Sequence, residues 1–275
     1  MLDAHQHFWN YNPERDTWIS SEMAVIKNDF YPLEAEILFK DCGINGCVAV
    51  QADSSEEETL FLLALAEQFE FIKGVVGWVD LQAESIYEKL DYYSQFEDLK
   101  GFRHVVQAEK DPDFFEKGSF IRGIKALKSF NYTYDILILP HQINSALKFA
   151  KKIDDQSLIL DHLGKPPIKS GNWKDWENWF VHFKDLNHVS AKLSGILTEA
   201  DWKNWNRDEI LTILKIAIDT FGPNRLLFGS DYPVLKLAGE LPVWVGLVME
   251  SISHLSPLEQ HQIVYKNCQE FYHLD

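Results

Sequence analysis

The sequence predicts an α/β fold, a single (β/α)8 TIM barrel, and three observations carry that prediction. Eight short apolar runs recur along 275 residues, separated by stretches with helical patterning, at the spacing of roughly 25 to 40 residues that alternating strand and helix require. Several runs, Leu158-Ile159-Leu160 among them, are almost wholly aliphatic, as strands of a parallel sheet covered on its outer face must be. The chain lacks the Gly-rich dinucleotide fingerprint and the phosphate-loop motif that would favour a doubly wound sheet. Nothing in it reads as a linker, so residues 1–275 form one domain, with the helical segments of 240–272 closing the barrel.

The elements follow in order. Residues 1–9 read as the first strand, whose period of two puts His5 and His7 on one face about 7 Å apart. Residues 10–32 are rich in Asn, Pro, Asp, Trp and Tyr and suit a long ordered loop. A short helix over 33–42 stops at Gly43, and a buried strand over 46–51 ends on Gln51. Asp53-Ser54-Ser55 ahead of Glu56-Glu57-Glu58 reads as an N-cap with an acidic first turn, launching a helix over 59–71. The pattern repeats as strand 72–81, helix 84–96, strand 101–106 and a helical region through Phe130. It continues as strand 134–139, helix 143–153, strand 158–162, a Trp-rich helix 173–186 and strand 189–194. Helix 209–221, stopped by Gly222-Pro223, leads to strand 225–231, and helices 240–253 and 257–272 end the chain.

Composition bounds the function. A hydrophobic share of 46% supplies a substantial core, and a net charge of −16 argues against nucleic-acid or acidic-membrane partners. Cys42, Cys47 and Cys268 form no CxxC and are too few for a disulfide framework, so they read as reduced packing residues. The chain shows no basic leader and no apolar run near the ~20 residues of a membrane span, which points to a cytoplasmic protein. Trp173, Trp176, Trp179, Trp202 and Trp205 fall on helical spacing and read as packing, whereas Trp9 and Trp78 could floor a pocket.

A TIM barrel carries its functional groups at the strands' C-terminal ends. The polar residues there are His7, Gln51, Trp78, Arg103, His104, His141, His162, Lys165, Ser194 and Asp231. Asp231, held between an apolar strand and Tyr232-Pro233, can ligate a cation or take a proton from water. His162 can polarise a carbonyl or bind an alkoxide, and its neighbour Asp161 is expected to point the opposite way as a structural acceptor. Arg103 and Lys165 are local cations for a carboxylate or polyhydroxylated ligand, although either could be a surface charge. Lys192 and Ser194 share one strand face; Lys192 lies deeper and could neutralise an acid, and Asp3, one step below His5, reads as structural.

These motifs resemble the amidohydrolase superfamily, and within it the sugar-lactonase branch of amidohydrolase family 2 that includes L-fuconolactonases and L-rhamnono-lactonases. The carriers are Asp3-Ala4-His5-Gln6-His7-Phe8-Trp9, Gly101-Phe102-Arg103-His104, Tyr134-Asp135, Asp161-His162-Leu163-Gly164-Lys165-Pro166, Lys192-Leu193-Ser194-Gly195 with Thr198-Glu199, and Phe228-Gly229-Ser230-Asp231-Tyr232-Pro233. The resemblance implies an amidohydrolase-like barrel hydrolysing a small-molecule sugar lactone, with Asp231, His162, His5 and His7 catalytic. It implies binding of the ring hydroxyls or carboxylate by Arg103, His104, Gln51, Trp78 and Lys165. The fourth strand ends in Arg103-His104 rather than a lysine that could bridge two metals, so a binuclear centre is not expected. His5, His7 and Asp231 are compatible with one zinc ion or with none, so no cofactor is obligatory. The rival expectations are a metal-dependent decarboxylase, a hydrolase of aromatic-acid lactones, and a non-catalytic sugar-acid binding protein. Monomer and homodimer both remain open.

Overall fold

The computed structural model describes residues 1–274. Eight parallel strands, β1 (Leu2–Gln6), β2 (Gly46–Val50), β3 (Ile72–Gly77), β4 (Leu99–His104), β5 (Thr133–Ile136), β6 (Leu158–Leu160), β7 (Val189–Leu193) and β8 (Leu226–Phe228), pair in sequence order. The ring closes where the segment after β8 meets β1: Asp231 N–H donates to the His5 carbonyl and His7 N–H to the Tyr232 carbonyl, each at 2.8 Å. This is the (β/α)8 barrel of the sequence reading, and its closing seam already brings His5, His7 and Asp231 side by side.

The helices lie outside the strands as α1 (Pro32–Asp41), α2 (Glu56–Gln68), α3 (Ile86–Tyr93), α4 (Gly118–Ser129), α5 (Ile143–Lys152), α6 (Lys174–Phe180), α7 (Arg207–Phe221) and α8 (Leu241–Ser251). Strand alternation separates two cores. Cys47, Ala49, Val75, Leu158 and Leu160 face the helices, whereas Leu2, Val48, Val50, Val76, Ile159 and Leu227 fill the barrel. Cys268, Tyr272 and Leu274, from the C-terminal segment, join that inner cluster and plug the barrel floor. The segment comprises α9 (Pro257–His261), a π turn (Gln262–Lys266) and α10 (Asn267–Phe271). Among the described residues no helix is long and apolar enough to cross a membrane.

Several boundaries differ from the sequence reading for local reasons. α2 begins at Glu56 because Ser55 accepts the Glu58 N–H at 3.2 Å. β8 starts after Arg225, whose guanidinium donates to the Phe183, Leu186 and Val189 carbonyls and so belongs to the turn before it. The helix expected over 173–186 breaks into α6 and a 3-10 turn, Val181–Asp185. The loop over 10–32 contains a 3-10 segment, Ser21–Ile26, and is pinned by antiparallel pairing of Trp9 with Phe30.

Candidate active site

At the C-terminal mouth, three imidazoles converge on one carboxylate. The Asp231 Oδ1 lies 3.4 Å from His7 Nε2, 3.8 Å from His5 Nε2 and 3.9 Å from His162 Nε2. His5 is fully buried, whereas His7, His162 and Asp231 each keep 4% exposure. His5 is thus the floor, and the other three form the rim that solvent reaches.

Backbone geometry aims these side chains. Asp231 and His162 both adopt positive φ, 58° and 52°, in the left-handed region that few residues other than glycine enter. At His162 this breaks the strand alternation and corrects the expectation for Asp161. Ile159 faces inward and so does Asp161, two residues on, while the left-handed turn swings His162 inward as well. Gly195 makes room for the ring, since a Cβ there would stand 2.4 Å from His162 Nδ1. Ser194 Oγ then meets that Nδ1 at 2.9 Å, leaving Nε2 toward Asp231. His7 Nδ1–H donates to the Val50 carbonyl at 2.7 Å, so a neutral His7 presents a bare Nε2.

Beneath the rim lies a buried charged layer. Arg103 Nη1 donates to Asp161 Oδ2 at 2.9 Å, and Lys192 Nζ sits 2.5 Å from Asp135 Oδ2 and 3.0 Å from Asp161 Oδ1. Tyr272 OH donates to Asp135, 2.9 Å from Oδ2. Two cations thus face two carboxylates, the pairing that buried charges require. Asp3 accepts the His5 and Ser230 N–H groups at 3.0 and 2.8 Å, tying the seam together.

Burial, reinforced by the Lys192 charge, lowers His5 well below the usual imidazole range, and burial brings His162 down to about 4. Burial alone would raise Asp231, but the His162 charge, the neighbouring His7 ring and the Lys165 charge outweigh it and hold the carboxylate below its usual range. Near neutral pH the site therefore holds neutral His5 and His162 facing an ionised Asp231, a set that can accept a proton from water and donate hydrogen bonds to developing negative charge.

The remaining candidates divide. Lys165, also at positive φ, pairs with Glu199 at 3.4 Å, and its charge reaches both Asp231 and His162. Trp78 follows inward-facing Val76 by two residues, and its indole N–H is buried without a partner. Trp9, 6.2 Å ring to ring from His7, is one wall of a cleft of about 400 Å³ that Asn10, Arg15, Asp53, Glu57 and Phe61 also line. His104 is a correction: next to inward Arg103 it faces outward, 2.8 Å from Glu109 Oε1 and stacked on Phe114. Gln51 is another, since its amide donates to the Arg103 carbonyl at 3.0 Å and accepts from the guanidinium, so it braces Arg103. Arg103 gives its two terminal nitrogens to Asp161 and Gln51. His141 is exposed in a 3-10 turn, Pro140–Gln142, outside the constellation. Asp135, Asp161 and Tyr272 are the members that sequence reasoning did not assign to the site.

The model of the amidohydrolase family matches residues 2–274. The chain belongs to that family. It is 37% identical over 257 residues to an L-fucono-1,5-lactonase of Burkholderia multivorans, covering 90% of this chain and 86% of that one. A second L-fucono-1,5-lactonase, from Burkholderia ambifaria, is 29% identical and covers 100% of this chain and 96% of its own. A crystal structure of an amidohydrolase from Burkholderia multivorans with bound zinc is 35% identical, covers 100% of this chain and 99% of that one, and superposes with a TM-score of 0.96.

In residue type and spacing the donor set suits such an ion. The ligand atoms of His5, His162 and Asp231 lie within 4.8 Å of one another, all buried, and neutral imidazoles with a carboxylate are zinc ligands. His162, which the sequence reading left out of the ligand set, is part of this cluster; His7 Nε2 stands 3.2 Å from His5 Nε2.

Proposed function

We propose that this amidohydrolase opens sugar-acid lactones, with L-fucono-1,5-lactone the first candidate, by direct attack of water on the ester carbonyl. The observation that carries the reading is Asp231 Oδ1 facing the Nε2 atoms of His5, His7 and His162 at a narrowly open barrel mouth. It is supported by the 37% identity to a lactonase over most of the chain.

Asp231 takes the proton of the attacking water, and His162 and His5 stabilise the oxyanion that forms at the carbonyl. No covalent nucleophile is required. When the ring oxygen leaves, the proton held by Asp231 returns to it. Lys165 and the free indole N–H of Trp78 meet the ring hydroxyls and the released carboxylate. A zinc ion, if taken up, would be held by His5, His7, His162 and Asp231 and would supply Lewis-acid polarisation of the carbonyl. Exchanging Asp231→Asn keeps the shape but removes the base, so hydrolysis should fall by roughly 10²-fold or more. A variant within a few-fold of wild type, followed by proton release from the lactone, would overturn the reading.

A further inference from the structure

Each ring nitrogen of His5 has a cation as a close neighbour. A histidine that ligates a metal through one nitrogen ordinarily donates its other N–H to a carboxylate, carbonyl or water. His7 has such a partner in Val50 O. His5 does not: Lys192 Nζ lies 3.1 Å from its Nδ1 in hydrogen-bonding geometry, and Arg103 Nη1 lies 3.3 Å from its Nε2. Asp161 Oδ1 stands 3.4 Å from the same Nδ1, but it takes no hydrogen bond there.

The neighbours of His5 set where its proton sits. With the proton on Nδ1, an N–H faces the Lys192 ammonium at 3.1 Å, and the bare Nε2 faces the bare Nε2 of His7 at 3.2 Å. With it on Nε2, Lys192 donates to Nδ1 and His5 donates to His7, which in turn donates to Val50 O. Two longer contacts are then opposed, Asp161 Oδ1 at 3.4 Å from the Nδ1 lone pair and Arg103 Nη1 at 3.3 Å from Nε2; that carboxylate oxygen faces the Lys192 ammonium at 3.0 Å, and the guanidinium nitrogen already gives a proton to Asp161 Oδ2 at 2.9 Å.

We propose that Lys192, locked by Asp135 and Tyr272, fixes the proton of His5 on Nε2, so that His5 offers the pocket an N–H donor in place of a metal-binding lone pair. Lys192 is thereby a positioning residue. Its anchor is Tyr272, whose hydroxyl holds Asp135 at 2.9 and 3.1 Å and whose ring lies 5.5 Å from the ammonium. The barrel plug therefore reaches the site floor through three side chains. For lactone opening, which rests on the function proposed above, the Nε2–H of His5 turns from His7 to the oxyanion as that charge develops, a donor that needs no ion. The same arrangement sets a cation against any zinc at His5, which weakens its hold.

The test uses the full chain, labelled with ¹⁵N-histidine and freed of metal with chelator, with the His5 signals assigned by their loss in His5→Gln. Long-range ¹H–¹⁵N correlation should show His5 Nδ1 as the unprotonated nitrogen and Nε2 as the protonated one. The reverse pattern, or both nitrogens protonated, overturns the proposal. In Lys192→Met the Nε2–H preference should disappear and zinc, titrated calorimetrically, should bind about 10-fold more tightly than to wild type; an unchanged pattern and affinity overturn it. Because Lys192→Met leaves Asp135 and Asp161 buried without that cation, Tyr272→Phe is the companion variant, removing one hydroxyl and no charge. It should lower kcat by about 3- to 10-fold at unchanged KM; a lower melting temperature with wild-type kcat overturns the positioning role. The tautomer measurement stands apart from turnover, so failure of wild type to hydrolyse any lactone would sink the proposed function and leave the proton placement to be decided by resonance.

Discussion

At the scale of single residues, strand-end polar side chains were readable as a group, and of the layer beneath them Lys192 and Asp3 were readable but their partners Asp135, Asp161 and Tyr272 were not. His5, His7, His162 and Asp231 are polar residues at strand ends, and a barrel brings such residues to one mouth. Alternation also settles Arg103 against His104, since adjacent strand residues cannot both face inward. Asp161 escaped the reading because the left-handed turn at His162 lets two successive residues enter the barrel, and an L-residue's positive φ carries no reliable sequence signal. The titration order makes a prediction. The base must be deprotonated to act, so activity falls as pH drops through its pKa. With Asp231 held below its usual range, kcat/KM for a lactone should stay level from neutrality down to about pH 5, and the limb on which the base is protonated should lie lower still. A limb near 6.5, the unperturbed histidine value, would move the base from Asp231 to an imidazole.

At the scale of elements, short strands and the turns after them set precision. β6 and β8 span three residues each, Leu158–Leu160 and Leu226–Phe228, so the turns that follow them aim His162 and Asp231. The apolar runs announced these strands, but their ends were overestimated because polar residues inside the barrel mimic strand continuation. Gly195, after β7, tests the point: its φ is 65°, and an added Cβ would meet His162 Nδ1 at 2.4 Å. Gly195→Ala should cost about 1–2 kcal/mol for the left-handed backbone. It should also lower kcat by about 10²-fold by displacing the ring. Thermal melting and steady-state kinetics read the two effects separately, and near wild-type kcat would contradict the placement of His162.

At the scale of the molecule, repeated alternation of strand and helix was the most legible feature, because every one of the eight units shows it. The plug was less so: the pattern of 257–272 reads as helix, but nothing in it announces that Cys268, Tyr272 and Leu274 seal the barrel interior. Removing the chain after Lys266 should expose Leu2, Val48, Val76 and Leu227 and abolish cooperative thermal unfolding, as calorimetry would show. A truncated chain melting like wild type would contradict the plug.

Lactone opening by Asp231 is read directly in a pH-indicator assay on L-fucono-, L-rhamnono- and galactono-lactones, run with wild type and Asp231→Asn, each with and without chelator. Wild type should release one proton per lactone opened on at least one of these substrates, with activity lost in Asp231→Asn. Background rates on the whole panel, or equal rates for the two proteins, would contradict it.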